Sequence, residues 1–473
     1  MTDIRFGTDG WRAIIAEDFT FANVRRCALA VAEHLRDTGL AQRGLVIGFD
    51  TRFASDRFAA AAAEVATALD IPVYLAAAPT PTPVVSYSIL NQRAGGGIVI
   101  TASHNAPEYN GFKYKPAYAG SASPEIVSEL EERIAQHGDG PVPRLPLNEG
   151  VRQGLLHRFD PSPPYLSHLA TLVDLERLRS AGLAVAIDSM YGAGIGYLRQ
   201  LLGGGRMTLT ELHAERNPNF PGFAQPEPIA PNLNALAQVI QEEGMAVGLA
   251  TDGDADRLGV MDERGGFVTQ LQTFALLVYY LLEVRGERGA VVRSITTTSM
   301  ADRLGERYNV PVYETAVGFK YIGPLMLQHE ALVGGEESGG YGFRGHIPER
   351  DGILAGLYFL DLMVRTGRTP SQLIADLYTL VGPHHYDRLD VRFDAEERGA
   401  ILQRLEASRP EELDGAPVEG VDTIDGVRYR LADGSWLLLR FSGTEPLLRI
   451  YTETNSEARC QRLLSEGRTL AGV

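Results

Sequence analysis

Three aspartates alternate in Thr251-Asp252-Gly253-Asp254-Ala255-Asp256-Arg257, directly after the apolar run Val247-Gly248-Leu249-Ala250. On an extended loop, residues two apart share a side, so all three carboxylates can face one point. Like charges that close repel one another unless a cation sits among them, and oxygen-only ligation suits Mg²⁺ or Ca²⁺ rather than zinc. A solvated acidic turn fits poorly, because a buried strand feeds straight into the loop. Glu263 stands twelfth when counted from Asp252, as in an EF-hand, but the sixth residue is Arg257 where a glycine is needed, and strands flank the loop where helices should. The EF-hand is rejected. Three aspartates leave coordination positions open, which suits Mg²⁺ completed by a phosphate oxygen.

Three further stretches have the residue types to work with such a cation. In Thr101-Ala102-Ser103-His104-Asn105-Ala106-Pro107 the strand Gly97-Ile98-Val99-Ile100 breaks into small polar residues, which offers the Ser103 hydroxyl as a nucleophile on a tight loop. In Arg440-Phe441-Ser442-Gly443-Thr444-Glu445-Pro446 a guanidinium, two hydroxyls and the amides around Gly443 can cup a phosphate, with Arg449 placed to help. In Gly335-Glu336-Glu337-Ser338-Gly339, Glu336 and Ser338 alternate, so a carboxylate and a hydroxyl can take vicinal sugar hydroxyls. Near the start, Arg12 in Phe6-Gly7-Thr8-Asp9-Gly10-Trp11-Arg12 can serve as a fork for a phosphate. Each loop alone also reads as ordinary turn chemistry. Together they describe phosphoryl transfer on a sugar phosphate.

The elements around these loops alternate. Phe19–Arg36 reads as an amphipathic helix, Leu45–Asp50 as a buried strand, Phe58–Leu69 as an alanine-rich helix and Ile71–Leu75 as a strand, followed by the rigid Pro79-Thr80-Pro81-Thr82-Pro83. Gly138–Pro164, rich in Pro and Gly, reads as a linker. Alternation resumes with strands at Leu183–Asp188 and Thr208–Leu212 and a helix at Leu233–Glu243. After the aspartate loop, Leu258–Asp262 and Gly266–Val268 read as a hairpin; Thr273–Val284, Gly352–Thr366 and Pro370–Val381 read as helices, and Ala290–Val292 and Ala331–Val333 as strands. From about His384 the texture changes to short strands at Tyr386–Arg392, Val427–Leu431, Trp436–Phe441 and Leu448–Thr454, with helices at Ala395–Glu406 and Ser456–Leu470. The expected fold is three similar α/β domains with mixed, mostly parallel sheets and a C-terminal α+β domain with an antiparallel sheet, around a central cleft. The expected boundaries are 1–150, 151–252, 253–380 and 381–473.

Length agrees, since 473 residues suggest about three or four cores. Apolar content of 44% and charged content of 22% are ordinary for a globular chain. No apolar run approaches the ~20 residues of a membrane span, and the first residues lack a signal peptide's apolar core. A net charge of −16 without a basic block excludes a nucleic-acid backbone as partner. Cys27 and Cys460 make neither metal spacing nor a disulfide framework, so the chain reads as cytoplasmic. In so acidic a protein, an anionic substrate needs clustered Arg, Lys and N–H groups to reverse the field locally.

With these motifs in this order, from Phe6 to about Glu453, the chain resembles the α-D-phosphohexomutases, the phosphoglucomutase/phosphomannomutase family. The resemblance implies that Ser103 is carried as phosphoserine and that its phosphoryl group passes to a hexose 1- or 6-phosphate. A hexose 1,6-bisphosphate then turns over in the cleft and returns its other phosphoryl group. It implies one Mg²⁺ on Asp252, Asp254, Asp256 and a phosphoserine oxygen at Ser103, with glucose 1,6-bisphosphate as activator and intermediate. Arg257 and Arg12 would sit near the transferring group, Lys113 beside it and His104 next to the serine. Glu336, Ser338, Arg440, Ser442, Gly443, Thr444 and Arg449 would hold substrate. Partners would be small sugar phosphates, with no nucleic acid or membrane, and the chain a monomer or weak homodimer.

Gly340 departs from many bacterial members, which have a histidine there that is offered as a proton-transfer group. Gly318-Phe319-Lys320-Tyr321 and the Glu336-Glu337-Ser338 loop look more like glucose-specific members, making Lys320 the alternative acid/base. Glucose phosphate is therefore placed ahead of mannose, with glucosamine third. The alternatives are a glucose 1,6-bisphosphate synthase on the same scaffold and a catalytically silent sugar-phosphate-binding protein.

Overall fold

The computed structural model describes residues 4–442 and 446–473, with the Ala395 side chain left aside. Gly443 and Thr444 of the expected phosphate cup lie outside the described residues. The chain builds four sheets. In the first, Leu45–Phe49 is central and parallel to both Val73–Ala76 and Gly96–Ile100, and Tyr109–Pro116 returns antiparallel beside Gly96–Ile100. Trp11–Ile14 and Leu156–Phe159 form its edges. The second sheet repeats that order with Ala184–Asp188 central, Thr208–Leu212 and Val247–Thr251 parallel beside it, and Leu258–Met261 returning. The third does so again with Val291–Ser294, Val312–Thr315, Val333–Gly335 and the returning Tyr341–Phe343. The fourth is antiparallel throughout, in the order His385–Arg392, Leu447–Thr454, Trp436–Phe441, Val427–Leu431, Ala416–Asp422, Glu412–Leu413.

The repeated order places three loops equivalently. The serine loop, the aspartate loop and the Glu336 loop each join the last parallel strand of a sheet to its antiparallel return. The strands that feed them are wholly buried, which fixes where each loop begins.

Some expected elements move. Gly138–Pro164 is structured: it holds the helix Leu147–Arg152 and the strand Leu156–Phe159. That strand is an edge in which Leu156 alone is buried, so it carries little alternation to read. Because it completes the first sheet, and Leu258–Met261 and Phe267–Val268 belong to the second, the boundaries fall later than 150 and 252. The proline run opens a helix, Thr82–Gln92, with Pro83 in the first turn where a missing N–H costs nothing.

The domains do not pack alike. One continuous core joins Val185, Val247 and Leu249 of the second sheet to Val291, Val333 and the helix Gly352–Thr366 of the third. The first and fourth domains have cores of their own, and a small cluster of Ile295 with Trp436, Leu438 and Tyr451 seats the fourth on the third. Both cysteines are buried and free. No helix among the described residues is long and apolar enough to cross a membrane.

Candidate functional site

Ser103 adopts φ +53°, a left-handed conformation that costs a non-glycine residue about 1–2 kcal/mol. Its surroundings hold it there. The Ser103 N–H donates to Thr101 Oγ1 at 2.8 Å. Arg52, fully buried, donates to the carbonyls of Ser103 (2.7 Å), Ala106 (2.7 Å), Tyr109 (3.0 Å) and Asn105. Asp50 balances that guanidinium at 3.2 Å. Sequence reading missed Arg52; the available signal was an Asp-Thr-Arg run at the end of a buried parallel strand.

The aspartate loop packs directly on the serine loop: a Cβ at Gly253 would fall 2.4 Å from the Ser103 carbonyl oxygen. The Ser103 hydroxyl donates to Asp252 Oδ2 at 2.7 Å. Asp252, Asp254 and Asp256 are all fully buried, and an oxygen from each lies within 4.8 Å of the others. Asp252 Oδ1 accepts from the N–H groups of Asp256 and Arg257. Asp254 Oδ1 and Asp256 Oδ1 are buried without any hydrogen-bond partner. Burial, then the charges of Asp254 and Asp256, push Asp252 well above the usual carboxylate range. Buried carboxylate oxygens that repel one another and lack donors fit a hard cation. The residues present fit the expected metal.

Cations surround this cluster. Lys113 Nζ sits 2.7 Å from Asp9, 2.8 Å from Asp254 and 3.2 Å from Asp256. Burial works against its charge, but those three carboxylates outweigh it and raise its pKa above the usual lysine value. Arg12 donates to Asn105 Oδ1 at 2.5 Å, within the serine loop, and Arg257 pairs with Glu227 at 2.7 Å. His104 Nδ1 lies 3.3 Å from Ser103 Oγ. Burial, and then Arg257, Arg12, Lys113 and Arg52, hold the imidazole well below its ordinary pKa, so it is neutral.

Arg350, absent from the expected set, ties the third domain to this centre. It lies 2.6 Å from Asp9, 2.8 Å from Asp256 and 3.5 Å from Glu336. Burial raises the Glu336 pKa while Arg350 opposes it. Behind it, Lys115 bridges Asp9 (2.8 Å) and Glu349 (2.5 Å), so Asp9 joins three buried cations. Ser338 lies on the Glu336 loop and is partly buried.

The remaining expected residues stand apart. Lys320 opens the helix Phe319–Gln328, 5.3 Å from the Tyr321 ring, and makes no ion pair among the described residues. The preceding Gly318 borders the Phe6–Arg12 stretch, since a Cβ there would lie 3.8 Å from Thr8 Cβ. In the fourth domain Arg440 and Arg449 are directly opposite on adjacent strands. Arg440 pairs with Asp425 at 2.7 Å, Arg449 reaches Asp390 at 3.9 Å, and the Ser442 N–H donates to Leu447 O at 2.8 Å. Two facing guanidinium groups repel, and a bound anion relieves that repulsion.

Four family models cover nearly the whole chain: the phosphoglucomutase/phosphomannomutase α/β/α domains I (residues 3–139), II (163–266) and III (270–381), and the C-terminal domain (391–469). The chain is 31% identical over 467 residues to the phosphoglucomutase/phosphomannomutase of Thermococcus kodakarensis, covering 98% of this chain and 97% of that protein. It is 32% identical over 473 residues to a protein of the same organism named "Probable phosphoglucosamine mutase", covering 98% and 97%. A crystal structure from Thermus thermophilus superposes with a TM-score of 0.86 at 36% identity, covering 100% of both chains. The chain belongs to the phosphoglucomutase/phosphomannomutase family, the α-D-phosphohexomutases, and is an enzyme of their isomerase class of intramolecular phosphotransferases.

Proposed function

We propose that the enzyme interconverts a hexose 1-phosphate and the 6-phosphate, glucose ahead of mannose and glucosamine, with Ser103 carrying the phosphoryl group. One observation carries the reading: the Ser103 hydroxyl touches Asp252 at 2.7 Å beside two buried, partnerless aspartate oxygens. In the first transfer a sugar hydroxyl attacks the phosphorus of phosphoserine 103. The phosphorus–Oγ bond breaks, the attacking hydroxyl loses its proton, and a hexose 1,6-bisphosphate and Ser103 Oγ result. After the sugar turns end for end, Oγ attacks the other phosphorus, the bond from that phosphorus to the sugar oxygen breaks, and that oxygen takes up a proton as the second monophosphate leaves.

Asp252, Asp254 and Asp256, with an oxygen at Ser103, would hold Mg²⁺. When bound, that ion neutralises charge on the phosphoryl oxygens. Lys113, Arg350, Arg12 and Arg257 supply preorganised positive charge at the same centre, the main requirement of a loose phosphoryl transfer. His104, whose basicity burial and the surrounding cations weaken, is a hydrogen-bonding neighbour of Oγ rather than a hydrolase base. Arg440, Ser442, Gly443, Thr444 and Arg449 take the phosphate that is not reacting, and Glu336 and Ser338 the sugar hydroxyls. Lys320, free of ion pairs among the described residues and two residues after Gly318, which borders Thr8, is the candidate for moving the sugar hydroxyl's proton.

A coupled assay with glucose, mannose and glucosamine 1-phosphates, with and without glucose 1,6-bisphosphate, tests the reading. Turnover with glucose 1-phosphate that depends on the bisphosphate is expected. Net accumulation of bisphosphate from another phosphoryl donor would make the enzyme a synthase, and no turnover of any of the three would overturn the proposal.

A further inference from the structure

Two neighbouring carboxylates of the Glu336 loop face opposite ways. Glu336 turns inward to Arg350, and Arg350 to Asp256. Glu337 turns outward to the fourth domain, where its Oε1 accepts from the Tyr386 hydroxyl at 2.8 Å and from Arg388 at 3.2 Å. Tyr386 and Arg388 lie on the strand His385–Arg392, in register with Glu453 and Tyr451 of the strand that also bears Arg449. That second strand pairs in turn with the one that bears Arg440.

We propose that Glu337 is a positioning residue that couples the fourth domain to the sugar loop. The loop is short and closed on itself, with Glu336 N–H donating to Gly340 O at 3.0 Å and Gly339 N–H to Glu336 O at 3.2 Å. A pull on Glu337 therefore moves Glu336. The contacts run without a break from the two facing arginines, through two paired strands, Tyr386 and Arg388, to Glu337, Glu336, Arg350 and Asp256. Phosphate capture in the fourth domain thereby aligns the loop beside the transferring group, and holds it while the bisphosphate turns. Without the link, phosphate captured in the fourth domain leaves the sugar loop unaligned.

The inference rests on the mutase reading, and its test separates the two. Hydrogen exchange of the segments 335–340 and 446–454 is followed with and without glucose 6-phosphate, in the wild type, Tyr386→Phe/Arg388→Gln, Glu337→Ala and Glu337→Gln. In the wild type ligand slows exchange in both segments. In the Tyr386→Phe/Arg388→Gln and Glu337→Ala variants it slows only 446–454. Glu337→Gln, whose amide oxygen still accepts from Tyr386, recovers part of the loop protection. The same variants need about tenfold more glucose 1,6-bisphosphate for half-maximal turnover, because the intermediate escapes before it is used. Combining the changes on both sides of the contact makes the defect no worse than either alone. Loop protection that is equal in wild type and variants, or absent from the wild type, overturns the coupling. Protection that behaves as described in a protein that turns over no hexose phosphate keeps the coupling and removes the mutase reading.

Discussion

Arg350 lies across Gly340 so closely that a Cβ at 340 would fall 2.2 Å from Arg350 Cδ and 2.7 Å from its Cγ. The arginine fills the space that a side chain there would take, which accounts for the glycine at 340. The third domain thereby offers the centre a fixed guanidinium, paired with Asp9 and Asp256.

Gly340→Ala should therefore displace Arg350 from Asp9 and Asp256. Overpacking of this kind costs about 1–3 kcal/mol. A misplaced charge beside the reacting group should also lower kcat/KM by about 100-fold. Steady-state kinetics and urea unfolding of the variant check both; wild-type kcat/KM would show that Arg350 is not needed where it stands.

Arg52 makes a second, separable demand. Replacing it by Met leaves Asp50 buried without its cation and four carbonyls of the serine loop without their donor. Breaking a buried pair this way should destabilise the fold by about 3–5 kcal/mol. Ser103 should also lose its phosphoryl acceptance, measured by intact-protein mass after incubation with glucose 1,6-bisphosphate. Arg52→Met with Asp50→Asn should recover stability without recovering phosphorylation.

The aspartate cluster predicts stabilisation by its ion. At 100 times the dissociation constant, a ligand bound only by the folded state adds about 2.7 kcal/mol. Mg²⁺ should thus raise Tm, and EDTA should reverse it. Asp254→Asn/Asp256→Asn, which removes the charge behind the two partnerless oxygens, should abolish the shift.

Acid should act elsewhere. His168 stacks on His346 at 5.1 Å and on Tyr87 at 4.6 Å, where the three α/β domains meet. Burial, then His346, holds the His168 pKa below its ordinary value, against a smaller opposing pull from Asp351. Folded protein then binds fewer protons at His168 than unfolded protein does. Its stability contribution is full above about pH 6.5 and is lost as pH falls through the lower folded pKa. Urea unfolding between pH 7.5 and 5 should show this loss, and His168→Phe should flatten it.

The serine, aspartate and Glu336 loops were legible because each is a local run of polar residues fed by an apolar strand, and both features survive in one dimension. Ser103 and the aspartates are legible that way and do converge, whereas Lys113, inside the buried strand Tyr109–Pro116, is pointed to only by the family resemblance and joins them in the structure. Asp9 and Arg350, 341 positions apart, were not, since neither sits in a pattern that names the other. Only the packing of the third domain against the first makes them partners. Arg52 was missed for the same reason: its function is to fill a buried space with donors, which no spacing records. The edge strand Leu156–Phe159 hid because a single buried side chain gives no period. Glu337 stands in a legible motif, but its role is hidden because its partners, Tyr386 and Arg388, belong to another domain.

The central claim is that Ser103 carries the phosphoryl group. Wild-type enzyme incubated with glucose 1,6-bisphosphate labelled in phosphorus should become labelled at Ser103, shown by peptide mass. The label should then chase into sugar phosphate when glucose 1-phosphate is added. Ser103→Ala should bind glucose 1-phosphate, take no label and lose turnover by several orders of magnitude. Substantial mutase activity in Ser103→Ala, or label on another residue that chases as fast, would contradict the account.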